Sequence, residues 1–171
     1  MDSHILPRDK LIINKIRKNL KTLKKNLQNV IKKDEELWFF DESRFGTHSK
    51  IGHGWFRTGI RTPVKIKLGY KNFYLYSAAN PKTGKEFTLL LPNVNINCMN
   101  IFLKEFSKTI KQRKVLIVMD GAGWHKSDKL KYPENIRILI QPAYSPELNP
   151  IEKLWQYIKD HTIKNKIYKT L

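Results

Sequence analysis

The chain has 171 residues, enough for one domain with a real hydrophobic core and a short appendage. Its 33 Lys and Arg residues outnumber 15 Asp and Glu residues, and the net charge of +18 indicates a polyanionic partner, either nucleic acid or an anionic membrane surface. The single cysteine, Cys98, excludes an intramolecular disulfide and a cysteine-rich zinc module. The apolar runs are too short to cross a bilayer and no signal segment opens the chain, so we expect an intracellular protein that faces nucleic acid.

A basic amphipathic helix is predicted over residues 11–33. Its apolar residues recur every three or four positions, at Ile12, Ile16, Leu20, Leu23, Leu27 and Val30. Residues 1–33 contain ten Lys and Arg residues against two Asp residues, a net charge of +8. The lysines fit either the solvated face of a packing helix or an arm that tracks DNA. We interpret residues 1–33 as a basic helical arm or linker and residues 34–171 as the main domain.

Short β-type runs replace the helical pattern from residue 36 onward. The predicted strands are 36–41, 54–58, 64–69, 72–79 and 86–91, with residues 81–84 as the hairpin turn between the last two. The elements predicted after them are a helix over 99–110, a strand over 114–119, a short helix over 124–132, a strand over 136–140 and a helix over 149–165. The strand over 114–119 is apolar enough for burial on both faces. This order predicts an α/β fold with a mixed sheet and helices on both faces.

Two acids directly follow apolar runs that we interpret as buried strands. Asp41 follows residues 37–40 and Asp120 follows residues 115–119, so both are expected at the carboxyl end of a strand, where ligands and metal ions can reach them. Asp41 equally fits a turn residue that caps its own backbone. Asp120 fits an N-cap for the helix predicted after it, although the glycines that follow also allow a ligand to approach closely.

A third acid, Glu152, lies in the first turn of the final predicted helix. With Asn149 as N-cap and Pro150 at the first helical position, Glu152 takes the third position, where the acid of a capping box is found. The apolar stripe of that helix consists of Ile151, Leu154, Trp155 and Ile158. Because Glu152 lies beside this stripe, it can also lean toward a site at the sheet edge. Three acids on three elements predict a site for a hard cation.

Three segments together resemble the catalytic domain of mariner-type transposases, in particular their bacterial insertion-sequence relatives. They are Asp41-Glu, Asp120-Gly-Ala-Gly-Trp-His125 and Ser145-Pro-Glu-Leu-Asn-Pro-Ile-Glu152, the last being highly specific. The resemblance covers about residues 34–165. It implies a ribonuclease-H-like fold in which Asp41, Asp120 and Glu152 form an acidic triad. That triad would bind two divalent ions, normally Mg²⁺, with Mn²⁺ as a substitute.

The resemblance also implies an activity and a set of partners. Transposases of this kind cleave phosphodiesters at the ends of their element and transfer the strands to target DNA. It implies a homodimer that joins two element ends, acting in the cytoplasm on nucleoid DNA. Residues 1–33 are too short for the expected helix-turn-helix reader together with a linker, so a separately encoded reader is expected. Gln141-Pro-Ala143 departs from the Leu-Pro-Pro-like lead-in of the family.

Residues around the three acids supply further candidates. His125 is a possible auxiliary base, although a lone histidine often makes only a local hydrogen bond. The candidate phosphate contacts, each of which also fits a solvated surface charge, are Arg44, Arg57, Arg61 and Lys126. Trp55 and Tyr144 fit either DNA contact or core packing. Glu147 is the next candidate for the third ligand if Glu152 serves only as a cap.

Two other functions fit the same sequence. One is a truncated or inactive DNA-binding remnant with a regulatory role, which the missing end-reader favours and the three ordered acids disfavour. The other is a metal-dependent nuclease of related fold that does not transpose. The product of a split transposase frame would reconcile the triad with the missing reader.

Overall fold

The computed structural model describes residues 7–47, 57–59, 63, 69–122, 127–164 and 166. Its helices and strands are α1 (Pro7–Val30), β1 (Glu35–Gly46), β2 (Asn72–Ala79), β3 (Glu86–Leu91), α2 (Ile96–Ile110), β4 (Lys114–Met119), β5 (Ile136–Ile140) and α3 (Pro150–Ile158). A 3₁₀ turn at Pro146–Leu148 precedes α3, and a π-helical turn at Lys159–Ile163 follows it. Over these ranges no helix is both long and apolar enough to span a membrane.

The five strands form one mixed sheet with the order β3-β2-β1-β4-β5. β1 pairs antiparallel with β2 and parallel with β4, while β2–β3 is antiparallel and β4–β5 is parallel. The β2–β3 hairpin turns at residues 81–84, as predicted, where Gly84 adopts a positive φ of 71° and Asn80 caps the turn. The predicted α/β mixed sheet is therefore confirmed.

Helix α2 covers one face of the sheet. Its predicted apolar stripe is completely buried and consists of Met99, Phe102, Leu103, Phe106 and Ile110. Phe102 packs on Phe40 of β1 with ring centroids 4.8 Å apart, and residues 115–119 of β4 are fully buried, as their unbroken apolar run predicted. Cys98 is a free, buried thiol in the same cluster.

Helices α1 and α3 cover the opposite face. Leu23 of α1, with 3% of its surface exposed, packs in one cluster with Phe39, Val118 and Trp155, and Leu27 is packed against that cluster. Arg137 of β5 holds the end of α1 in place, because its guanidinium donates to the Val30 carbonyl and to the Glu35 carboxylate. The second half of the predicted apolar stripe therefore contacts the sheet domain.

The first half of that stripe is different. Ile12 and Leu20 are exposed, and the basic residues Lys15, Lys18 and Lys21 are exposed around them. The helix is thus docked at its carboxyl-terminal half, and its amino-terminal half presents a mixed apolar and basic surface.

Of four further predicted elements, two differ from the structure and two lie mostly outside its described residues. The strand predicted to end at residue 41 continues to Gly46, because β2 pairs with it over its whole second half. The strands predicted at 54–58 and 64–69 lie mostly outside the described residues; Thr58 is in a turn, and Arg57 and Gly69 are not in a strand. The helix predicted over 124–132 is wrong for residues 127–132, which form a turn and extended chain around the buried Leu130.

Removing the docking contact of α1 should destabilise the whole chain. Leu23→Ala leaves a cavity between α1, β1 and α3, and we expect a loss of about 2–4 kcal/mol in the free energy of unfolding, measured by urea denaturation. Leu11→Ala is the matched control, since Leu11 lies on the same helix with 72% of its surface exposed. Equal, small effects of both substitutions would show that α1 does not contribute to the core.

Candidate functional site

The three predicted acids, Asp41, Asp120 and Glu152, line one cavity of about 370 Å³. The cavity lies beyond the carboxyl ends of β4 and β5, where the chain leaves the sheet in residues 120–122 and 141–146. We call it the acid cavity. The carboxyl ends of parallel strands are the edge at which open α/β sheets bind ligands.

Strand register brings Asp41 and Asp120 to the same level. The last pair of the parallel β1–β4 ladder is Phe39 with Val118, and each acid lies two residues beyond its member of that pair. The expectation that Asp41 ends a strand is wrong, since Asp41 pairs with Ser77 in the middle of β1. β4 ends at Met119, whereas β1 continues. The edge of β1 that faces β4 is therefore unpaired at Asp41.

Asp41 is half-buried, and its surroundings disfavour the ionised form of its carboxyl group. Burial, followed by the negative charges of Glu152 and Glu42, raises its pKa to about 7 from an ordinary value of 3.8. A hydrogen bond of 2.9 Å from Trp155 Nε1 to Asp41 Oδ2 acts in the opposite direction and fixes the carboxylate in place. A nearby cation would relieve the repulsion between these carboxylates.

Asp120 is exposed at the cavity edge. Its Oδ1 accepts a hydrogen bond of 3.2 Å from the backbone N–H of Ala122, which is the local turn that aspartate often forms. The next residue, Gly121, packs so closely that an added Cβ would come within 3.2 Å of Ile140 Cγ2. A larger residue after Asp120 would therefore press against the Ile140 side chain of β5, and the glycine also leaves access to the acid.

Glu152 is exposed on the first turn of α3. The backbone N–H that it would bind in a capping box is bonded to another group. Asn149 is the N-cap, and its Oδ1 accepts from the N–H of Ile151 at 3.2 Å. In a capping box the acid would accept from the backbone N–H of the N-cap. That N–H instead donates to the Pro146 carbonyl at 2.9 Å, through the preceding 3₁₀ turn. The capping alternative for Glu152 thus lacks its hydrogen bond.

Asn149 has a second role that the sequence did not reveal. Its Nδ2 donates to the Phe40 carbonyl of β1 at 2.9 Å, in a buried position. The same amide therefore starts α3 and ties that start to the residue before Asp41. The Asn-Pro pair predicted an N-cap, but the acceptor on β1 is 109 residues away in sequence and no local pattern predicts it.

The segment from Gln141 to Ser145 forms the opposite wall of the acid cavity. Gln141 has 6% of its surface exposed, and its Oε1 has no hydrogen-bond partner among the described residues. Tyr144 has a positive φ of 55°, which costs roughly 1–2 kcal/mol for a residue with a side chain. Ser145 Oγ accepts from Asn19 Nδ2 of α1 at 2.7 Å, so the basic helix is attached to this wall.

The remaining predicted residues are scattered or lie outside the described part of the chain. Arg44 is exposed on β1, and strand alternation directs it away from the face that carries Asp41. Arg57 is exposed just before a turn, and Glu147 lines a neighbouring depression but not the acid cavity. The candidates outside the described residues are Trp55, Arg61, His125 and Lys126.

The donor atoms suit a hard cation, while their spacing is open. Carboxylates are the ligands that Mg²⁺ prefers, and a bound cation would offset both the burial and the neighbouring negative charges that raise the pKa of Asp41. Within the described ranges, however, no three His, Cys, Asp or Glu side chains stand close enough together to hold a metal ion. Binding would therefore require the three carboxylates to move closer together.

The chain matches the family model described as DDE superfamily endonuclease over residues 36–171. It is 37% identical over 97 residues to the uncharacterized protein y4pE/y4sA of Sinorhizobium fredii (strain NBRC 101917 / NGR234), a match that covers 56% of this chain and 72% of the relative. It is 28% identical over 138 residues to the insertion element IS630 uncharacterized 39 kDa protein of Shigella sonnei, covering 77% of this chain and 40% of the relative.

Solved structures of the Mos1 mariner paired end complex have the same fold. The complex with Mn gives a TM-score of 0.66 at 16% identity, covering 98% of this chain and 53% of the Mos1 chain. The complex with Mg gives a TM-score of 0.57 at 13% identity, covering 99% and 53%. These matches confirm the predicted ribonuclease-H-like fold. Taken with the family model and the insertion-element relative, they confirm the resemblance to mariner-type transposases. This chain spans about half the length of the Mos1 chain.

The raised pKa of Asp41 should make stability fall as pH rises, in the absence of divalent cations. The folded chain holds this proton up to about pH 7, whereas the unfolded chain releases it near 3.8. Between these values the folded state binds more protons, so the free energy of unfolding decreases with rising pH. Asp41→Asn cannot ionise and should give a flatter slope across this window and a more stable protein above it.

Urea midpoints measured between about pH 4 and about pH 8 test this expectation. Glu147→Gln, outside the acid cavity, is the control and should keep the slope of the parent chain. A parent slope that is flat, or that Asp41→Asn leaves unchanged, would contradict the assigned environment of Asp41.

Proposed function

Because the chain belongs to the DDE endonuclease superfamily, we propose that it is the catalytic part of an insertion-sequence DNA transposase. It cleaves phosphodiester bonds at the ends of its element and transfers the strands to target DNA. The observation that carries this proposal is that Asp41, Asp120 and Glu152, on three separate elements, line one cavity. A half-buried carboxylate beside other negative charges is a costly arrangement unless a cation is bound nearby.

The proposed roles follow from the position of each acid. Asp41 and Asp120 supply carboxylates at one level of the sheet, and Glu152 supplies a third from α3. Together they would hold two Mg²⁺ ions, for which Mn²⁺ can substitute. When bound, such a pair of ions activates a water or a 3′-hydroxyl and stabilises the leaving oxygen in phosphodiester chemistry. Trp155 keeps Asp41 oriented toward the cavity through its indole N–H.

The charge of the protein supports DNA as the substrate. The net charge of +18 exceeds what solubility requires, and the amino-terminal half of α1 presents exposed lysines on the helix attached to the cavity wall. We further propose a homodimer that brings two element ends together, with end recognition supplied by a helix-turn-helix segment encoded separately. Action on nucleoid DNA would place the protein in the cytoplasm.

The second candidate is a DNA-binding remnant that no longer cleaves. The open spacing of the carboxylates among the described residues favours it. The two candidates differ in whether the acids are needed for strand cleavage.

Glu152→Gln separates metal binding from helix capping. Glutamine keeps the size of the side chain and can serve in a capping box, but it lacks the charge that a metal ion needs. We expect loss of Mg²⁺-dependent cleavage of a supercoiled plasmid at high protein concentration, with a change of less than about 0.5 kcal/mol in the free energy of unfolding. Asp41→Asn and Asp120→Asn should have the same effect on cleavage, and the losses should not add.

A second measurement does not depend on turnover. Mg²⁺ should raise the melting temperature of the parent chain by binding the folded state, and each of the three substitutions should remove that increase. Glu147→Gln is the matched control, since it changes an exposed acid on the adjacent 3₁₀ turn and should behave as the parent. A parent chain that neither cleaves nor gains stability with Mg²⁺ would favour the non-cleaving candidate.

DNA binding should depend steeply on salt. Neutralising six to ten phosphates would lower affinity roughly 10³- to 10⁵-fold between about 50 and about 200 mM salt, measured by fluorescence anisotropy with a duplex of arbitrary sequence. Replacing Lys18 and Lys21 together by Gln should reduce the slope by about two. A slope near zero would show that the positive charge serves another partner.

A further inference from the structure

The rim of the acid cavity carries an aromatic side chain that the proposed chemistry does not use. Tyr144 lines the cavity, yet 88% of its surface is exposed. The alternative that it packs in the core is wrong. Tyr144 and Lys111 are the residues other than glycine with a positive φ in the described part of the chain. Backbone strain of this kind persists where the surrounding structure imposes it, and such positions cluster at functional sites.

Two hydrogen bonds hold the chain next to Tyr144. Ser145 Oγ donates to the Ala143 carbonyl at 3.1 Å and accepts from Asn19 Nδ2 of α1 at 2.7 Å, and Ser145 itself is buried. The wall of the cavity is thereby pinned on both sides of an exposed ring. The strain at Tyr144 is thus imposed by its neighbours, while the side chain is left free of the core.

Helix α1 also places a cation against this ring. Lys15 Nζ lies 6.0 Å from the centre of the Tyr144 ring, at the outer range of a cation–π contact. Lys15 continues into the basic face of α1, where Asn14, Arg17, Lys18 and Lys21 line a shallow depression. An aromatic face and a row of cations side by side are the two components of a site for single-stranded nucleic acid.

We propose that Tyr144 is a stacking platform for an unpaired DNA base, and that Lys15 and the basic face of α1 hold the adjoining phosphates. The ring at the mouth of the acid cavity then positions the end of a DNA strand with its phosphodiester beside the three acids. The partner is single-stranded or frayed DNA, because bases within an intact duplex are already stacked on both sides and offer no free face. This proposal rests on the proposed function, since it names the form of DNA that the same cavity takes.

Equilibrium binding without divalent cations tests the platform separately from cleavage. The probes are a blunt duplex, a duplex with a short 3′ overhang and a single strand, the last two containing the fluorescent base 2-aminopurine in the unpaired region. Tyr144→Ala should weaken binding of the overhang and of the single strand by about tenfold and abolish the stacking-dependent fluorescence quenching. Binding of the blunt duplex should remain within about twofold, because phosphate contacts dominate it.

Three further variants make the result specific. Tyr144→Phe keeps the ring and should retain both affinity and quenching. Tyr70→Ala is the matched control, because Tyr70 has the same exposure of 88% but does not line the acid cavity, and should behave as the parent. Tyr144→Gly should lose binding as the alanine variant does, yet melt at or above the parent temperature, because glycine adopts a positive φ without strain.

The platform is overturned if Tyr144→Ala leaves quenching unchanged, or if it weakens all three probes equally. These results stand apart from those for the acids. If Tyr144→Ala loses the quenching but the parent chain never cleaves DNA, the platform is supported and the proposed catalysis is rejected. If the parent chain cleaves DNA but Tyr144→Ala keeps the quenching, the catalysis is supported and the platform is rejected.

Discussion

The parallel pairing of β1 with β4 is the constraint on which the site depends. Its register aligns Phe39 with Val118, so the acids two residues further along each segment emerge at one level. β1 continues beyond this point only because β2 pairs with its other edge, and β4 stops. The result is a strand that is hydrogen-bonded on one side and open on the other at Asp41. An open side with a half-buried carboxylate is a place where a ligand can complete the structure.

Two side chains of the α3 region form hydrogen bonds with β1 beside its open edge. Asn149 binds the Phe40 carbonyl and caps the helix at the same time, and Trp155, in the second turn of α3, donates to the Asp41 carboxylate. Both contacts are to β1 residues at the end of its ladder with β4, so they hold α3, and with it Glu152, beside this end of the ladder. The cluster of Leu148, Ile151 and Trp155 beneath them supplies the apolar burial that holds α3 on the sheet.

The arm at the N-terminus is joined to this arrangement and is more than a charged appendage. Leu23 of α1 packs in the core between α1, α3 and the sheet, and Asn19 of α1 binds the cavity wall at Ser145. The docked half of α1 thus fixes where its basic half begins. Composition showed only that the arm as a whole is positively charged. These contacts place the lysines of α1 near the acid cavity, so the groups that attract phosphate and the candidate catalytic acids lie at one edge of the sheet.

The sequence by itself predicted the elements whose periodicity is strong, and it singled out three acids that line one cavity in the structure. The stripe of α2 and the apolar run of β4 were readable because burial imposes a period of 3.6 residues or an unbroken run. The sequence did not show where β1 ends, because the last residues of this strand are held in it by pairing with β2. It also did not exclude a helix over residues 127–132. It also left capping and ligation as equal readings of Glu152. Only the tertiary structure decided that the Asn149 side chain reaches Phe40, that Asn19 binds Ser145, and that the Tyr144 ring stays exposed. Those outcomes depend on contacts between residues distant in sequence, which local patterns do not encode.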